Sequence, residues 1–93
     1  VPMLSFKTFD EVIERANNND LGLCSYIYTN SMEQAHKASE LMETGCVAVN
    51  TAAVAVAEAP FGGIKQTGYG REGGSMAIKD YLNIKYTHLG LKN

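Results

Sequence analysis

Positive charge, long apolar runs and cysteine are all scarce in this chain, and each scarcity excludes a class of protein. Eight Lys and Arg stand against ten Asp and Glu, a formal charge of −2. Nucleic-acid binders and membrane-surface binders need a basic face, so neither class fits. No apolar run approaches the roughly 18 residues of a spanning helix. Nor does any charged leader run into an apolar stretch as a signal peptide does. The two cysteines, Cys24 and Cys46, form no C-x-x-C pair and have no His at ligand spacing. They read as buried reduced thiols of an intracellular, cytoplasmic protein. The chain opens on Val1 rather than Met, which fits a start inside a longer protein.

Glycine is abundant, but in one place. Six of the chain's nine glycines fall within Gly62–Gly74. Residues without a Cβ allow close backbone approaches and positive φ, at a high entropic cost on ordering. Phe61, Ile64 and Tyr69 are the only large apolar side chains nearby, too few to order the loop. Its support must come from elsewhere, which predicts a piece of something larger.

Ahead of the loop, element types alternate. Val1–Phe6 is short and apolar, a first strand. Thr8 with Glu11 forms a capping box ahead of a helix whose apolar face is Phe9, Val12, Ile13 and Ala16. Asn17-Asn18-Asn19-Asp20 ends it. Leu23–Thr29 is a second strand. Ser31 with Gln34 repeats the box, and Met32, Ala35, Ala38, Leu41 and Met42 face inward from a second helix. Gly45 stands where a left-handed residue would close that helix, and Cys46–Val49 is a third, fully buried strand. The fold class is therefore α/β: a β-α-β-α-β parallel half-sheet, then the glycine-rich loop, a short helix and a terminal strand. Thr51–Ala59 is almost all Ala and Val, a segment packed against another part of a protein or lining an apolar channel. Ser75 caps a short helix holding Ala77, Ile78, Tyr81 and Leu82. Ile84–Leu91 is a strand that pairs with another domain or subunit.

Several residues invite a chemical role. Gly68-Tyr69-Gly70-Arg71-Glu72-Gly73 matches G-x-G-x-x-G, but no strand runs into Gly68 and the residue twenty positions on is His88, not an acid. A packed turn is the better reading than a phosphate cradle. Cys24 and Cys46 have no local base or helix N-terminus to activate them. His36 and His88 have no acidic or hydroxyl partner at a useful spacing. Arg71 and Glu72 read as a local ion pair anchoring the loop. Phe61, rigid between Pro60 and Gly62-Gly63, serves either as a wall of a substrate channel or as plain core packing. No nucleophile-base pair, metal cluster or complete cofactor site is present.

Four stretches carry a resemblance along nearly the whole chain. They are Ala16-Asn17-Asn18 with Leu21-Gly22-Leu23; Gly45-Cys46-Val47-Ala48-Val49-Asn50; Pro60-Phe61-Gly62-Gly63-Ile64-Lys65; and Gly68-Tyr69-Gly70-Arg71-Glu72-Gly73. Together they resemble the C-terminal end of the aldehyde dehydrogenase superfamily. Asp80-Tyr81-Leu82, Lys85-Tyr86 and Leu89-Gly90-Leu91 are most similar to its succinate-semialdehyde branch.

The resemblance implies NAD(P)-dependent oxidation of an aldehyde to a carboxylate, in which a cysteine thiolate attacks the aldehyde and a glutamate activates water. Both residues, and the domain that binds NAD or NADP, would lie upstream of Val1, leaving no catalytic residue in this chain. Residues 1–83 would be the last part of the catalytic domain, and 84–93 an oligomerisation strand and C-terminus, with Tyr86–Leu91 joining subunits of a homo-oligomer. Phe61 falls at the family's substrate-channel aromatic. Carbonyls of Lys65 and Gly68 match positions that hold a monovalent cation in some relatives. Ala55 stands where the semialdehyde branch has a serine that holds the substrate's distal carboxylate. That departure leaves open a different semialdehyde, held by upstream arginines alone, or a less polar aldehyde. Two other readings compete: a truncated, non-catalytic assembly module, and a free-standing α/β domain that binds an anion or nucleotide through its glycine loop.

Overall fold

The structure, a computed structural model, describes residues 1–92. Helix α1 spans Phe9–Asn17, and the Thr8 hydroxyl accepts from the Glu11 N–H at 3.2 Å to start it. The other half of the expected box is displaced by one residue. The Glu11 carboxylate accepts from the Lys7 N–H at 2.8 Å, not from that of Thr8. That bond, opposed by slight desolvation and reinforced by the Arg15 guanidinium at 3.1 Å, holds the Glu11 carboxyl below the usual carboxylate range. Helix α2 (Met32–Leu41) begins the same way, with the Ser31 hydroxyl accepting from Gln34 N–H at 3.2 Å. Here the Gln34 side chain turns instead to the Thr29 hydroxyl at 3.1 Å.

Strand β1 is Leu21–Gly22, β2 is Cys24–Ile27, β3 is Cys46–Val49 and β4 is Ile64–Lys65. β2 and β3 run parallel in register from Cys24↔Cys46 to Ile27↔Val49, with α2 as their crossover. This β-α-β unit is the expected centre of the chain. Asn17 ties the ends of the two helices together: its amide donates to Leu41 O at 2.8 Å and its oxygen accepts from Glu43 N–H at 2.9 Å. The buried side chains are Ala35, Ala38, Ala48 and Ser25, beside the buried glycines Gly22 and Gly63, and Ser25 Oγ is bonded to Thr44 Oγ1 at 2.8 Å. A core of three alanines and a serine is very small: Met32 and Leu41, expected to face inward, are exposed, and of β3 only Ala48 is fully buried.

Ile84–Leu91 is exposed and meets no partner backbone among the described residues; the pairing expected of it is with another domain or subunit. Three expectations need correction. Val1–Phe6 forms no ladder among the described residues, and its side chains are exposed. A strand exists only where another backbone meets its donors and acceptors, and none of these residues does so. The strand expected at Leu23–Thr29 is shorter, Cys24–Ile27, and a separate two-residue strand precedes it. Leu21–Gly22 pairs antiparallel with Ile64–Lys65, and Cys24 onward pairs with β3. Finally, Ser75 caps nothing: Ala77–Tyr81 is a short 3₁₀ helix with Met76 at its head and no side-chain cap.

Candidate functional site

The glycine-rich loop is fastened to the β-α-β unit through backbone. Leu21 faces Lys65 and Gly22 faces Ile64 across the short β1–β4 ladder. Gln66 N–H donates to Asp20 O at 2.9 Å, and Gly22 N–H to Thr67 Oγ1 at 2.8 Å. Gly45 N–H reaches Gly22 O at 3.0 Å. Gly45 is not in the left-handed region, so its expected role as a helix-closing turn does not hold. Its glycine is needed for proximity, because a Cβ there would run into the Gly62 carbonyl.

Beyond that contact the loop folds on itself. Phe61 and Glu72 form a two-way antiparallel bridge, with N···O distances of 2.6 and 2.7 Å. Gly74 N–H donates to Ala57 O at 2.8 Å. The Arg71 guanidinium ignores Glu72; its Nη1 donates to the carbonyls of Gly63 and Gly70, each at 2.8 Å. Among the described residues, the ion pairs are Arg15–Glu11 and Lys65–Glu43. The Arg71 N–H goes to Asp80 Oδ2 at 2.7 Å, tying the loop to the 3₁₀ helix.

These bonds decide whether Gly68–Gly73 is a phosphate cradle. A cradle needs free, convergent N–H groups. Here three of the six amides are engaged: Gly68 N–H is directed at Lys65 O (3.5 Å), that of Arg71 at a carboxylate and that of Glu72 at Phe61 O, which leaves no continuous run of donors. A phosphate beside Arg71 would also meet the Asp80 anion. The residues of this loop do not fit a dinucleotide.

Phe61 is half-buried and borders a shallow depression of 280 Å³ with Leu23, Tyr69, Arg71, Asp80 and Tyr81. Ala55 is exposed and does not border it, so the structure does not bring these two residues together. The Lys65 carbonyl takes the long bond from Gly68 N–H and keeps a second lone pair, as neutral carbonyl ligation of a monovalent cation requires. Among the described residues, no three His, Cys, Asp or Glu side chains cluster as a metal site, and no helix is long and apolar enough to cross a membrane.

Cys24 and Cys46 are direct neighbours across the β2–β3 ladder, both half-buried and both free thiols. Burial first, and the adjacent Cys46 second, push the Cys24 thiol up, which disfavours the nucleophilic thiolate. His36 is exposed on α2. His88, expected to have no hydroxyl partner, has one: its Nδ1 lies 3.2 Å from the Tyr86 hydroxyl two residues before it. Sequence reasoning missed Asn50. Its backbone is left-handed (φ 55°), and its amide bonds Thr29 in both directions at 2.9 Å. The available signal was Asn directly after an apolar strand, since Asn tolerates positive φ better than most residues.

The profile of the aldehyde dehydrogenase family matches residues 1–87. The chain is 51% identical over 89 residues to a 3-sulfolactaldehyde dehydrogenase of Pseudomonas putida, covering 96% of this chain and 18% of that protein. It is 44% identical over 92 residues to the mitochondrial succinate-semialdehyde dehydrogenase of Arabidopsis thaliana, covering 99% and 17%. The NAD+ complex of an aldehyde dehydrogenase from Bacillus cereus superposes with a TM-score of 0.88 at 39% identity, over 96% of this chain and 18% of that one. The chain thus spans less than a fifth of the length of the relatives it matches.

Proposed function

The chain belongs to the aldehyde dehydrogenase family, and from that premise we propose that it is part of the catalytic domain of an enzyme that oxidises an aldehyde with an anion at its far end. The observation that carries this reading is the identity to relatives named for such substrates across nearly the whole chain. 3-Sulfolactaldehyde ends in a sulfonate and succinate semialdehyde in a carboxylate, so the shared chemistry is a terminal aldehyde plus a distal negative charge. Ala55 offers no hydrogen bond, so the groups that neutralise that charge would be supplied from outside this chain.

In this reading residues 1–83 complete the substrate side of the catalytic domain and 84–93 join subunits. Phe61 forms one apolar wall of the aldehyde's path, supported by its place at the edge of an open depression. Carbonyls of Lys65 and Gly68 would hold a monovalent cation. NAD or NADP, which accepts the hydride of aldehyde oxidation, would bind to residues outside this chain, as would the nucleophile and the general base. Cys24 is a poor candidate for the nucleophile because burial favours its neutral thiol.

The test is kcat/KM of the full-length protein for sulfolactaldehyde, succinate semialdehyde and an uncharged aldehyde of equal length, followed by NADH or NADPH absorbance. The anionic substrates should win by at least about tenfold, the lower end of what even a small difference in substrate gives in a pocket. Equal or better turnover of the uncharged aldehyde would refute the distal anion.

A further inference from the structure

The segment joining β3 to β4 begins and ends on backbone that L side chains rarely adopt. Among the described residues, Asn50 (φ 55°) and Lys65 (φ 57°) are the non-glycine residues with positive φ. Such conformations persist only where surrounding structure over-determines them.

At Asn50 the restraint is its carboxamide. Oδ1 accepts from Thr29 N–H and Nδ2 donates to Thr29 O, both at 2.9 Å, while Asn50 N–H reaches Ile27 O at 2.7 Å. The side chain thus stands in for a peptide group and extends the β2–β3 pairing one step after the backbone has turned away. Thr29 is itself fixed, since its hydroxyl accepts from Ser31 N–H and donates to Gln34 Oε1 at the head of α2.

At Lys65 the restraint is the ammonium. Nζ donates to Asn17 O at 2.9 Å and Asn19 O at 3.2 Å, and pairs with Glu43 Oε2 at 2.6 Å. Lys65 thereby binds the carbonyl end of α1, where a cation is favoured, and the turn before β3. The first restraint attaches the segment to the β-α-β unit and the second to the end of α1 and to Glu43 ahead of β3, and Ala55 and Phe61 lie between them in the sequence.

We infer that Asn50 and Lys65 are positioning residues that pin the two ends of the 51–64 segment and so set where Phe61 and Ala55 present themselves to substrate. The inference rests on the substrate-facing role given to Phe61 and Ala55 above. Neither pin touches the reacting atoms; each acts through the segment it holds.

The test uses the full-length protein with Asn50→Ala and Lys65→Met, read by steady-state kinetics and by hydrogen exchange. The expected result is an aldehyde KM raised about tenfold, with the cofactor KM within about twofold, the signature of lost substrate binding rather than lost chemistry. Amides of residues 52–64 should exchange faster while those of β2 and β3 keep their protection. Asn50→Gly tolerates the positive φ but has no amide, so it should loosen the segment too. Wild-type exchange in Asn50→Gly would show that only the φ matters and overturn the pin. Protection lost equally from β2, β3 and the segment would also overturn it, in favour of general destabilisation. Should Asn50→Ala not fold, Asn50→Asp, which keeps the acceptor for Thr29 N–H but sets a charged oxygen against Thr29 O in place of the donor, decides the same question. If the wild-type protein oxidises no aldehyde, the proposed function fails, while hydrogen exchange still decides whether the pins hold the segment.

Discussion

Gly45 shows how a residue's identity can be dictated by a partner far along the chain. Nothing in Glu43-Thr44-Gly45-Cys46 indicates that the Gly62 carbonyl will lie against its α-carbon. Gly45→Ala must therefore push backbone against backbone, which no rotamer change relieves. Its smaller unfolded-state entropy would contribute about 0.4–1 kcal/mol of stability, against an overpacking cost of about 1–3 kcal/mol. The net expectation is destabilisation, read as a lower denaturant midpoint with unchanged slope in the full-length protein. A midpoint equal to wild type would mean the two loops separate freely. Phe61 gives the matching functional expectation. Phe61→Ala should redistribute kcat/KM between short and long aldehydes and leave the cofactor KM alone. A uniform fall across aldehydes with a raised cofactor KM would remove Phe61 from the substrate path. Its candidacy was legible because an aromatic between Pro60 and two glycines is unusual. At Asn50 the left-handed turn was legible from an Asn directly after a strand, but its bond to Thr29 was not, because no local pattern encodes that partner.

At the scale of elements, local signals read well and non-local ones poorly. Both helices start at the hydroxyl residues expected, Thr8 and Ser31, because a cap is chemistry within three residues. β2 and β3 were visible as short apolar runs on either side of a helix. β1 and β4 were not, since a two-residue ladder leaves no periodicity to find. The displaced box at α1 makes a pH prediction. The Glu11 carboxyl is held below its ordinary range, chiefly by Lys7 N–H. A lowered folded-state pKa means stabilisation that is present above the unfolded-state value and lost as pH falls through the folded one. Resonances of α1 amides should therefore shift toward coil values as the solution is acidified through the carboxylate range, and Glu11→Gln should flatten that dependence. Identical acid titrations of α1 in wild type and Glu11→Gln would show that the carboxylate contributes nothing to the helix start.

As a whole molecule, the chain cannot cover its own apolar surface. Its radius of gyration is 19.0 Å, whereas a compact domain of this length has about 12 Å. The long dimension, 75 Å, is three times the others. Leu4, Phe6, Ile84, Tyr86, Leu89 and Leu91 are all exposed along it. The sequence announced this shortfall through a glycine loop with too few apolar anchors, but it could not say which surfaces fill the gap. The terminal stretch gives the sharpest whole-molecule prediction. Tyr86, His88 and Gly90 alternate with Thr87, Leu89 and Leu91, a strand pattern with no partner backbone among the described residues. If that partner belongs to another subunit, removing residues 86–93 should dissociate the full-length oligomer while each protomer still binds the cofactor. The dissociation reads directly as mass by light scattering after size exclusion. Pairing within the same subunit predicts the opposite, an intact oligomer with a lower melting temperature. That outcome would reassign residues 84–93 from assembly to the catalytic domain's own sheet.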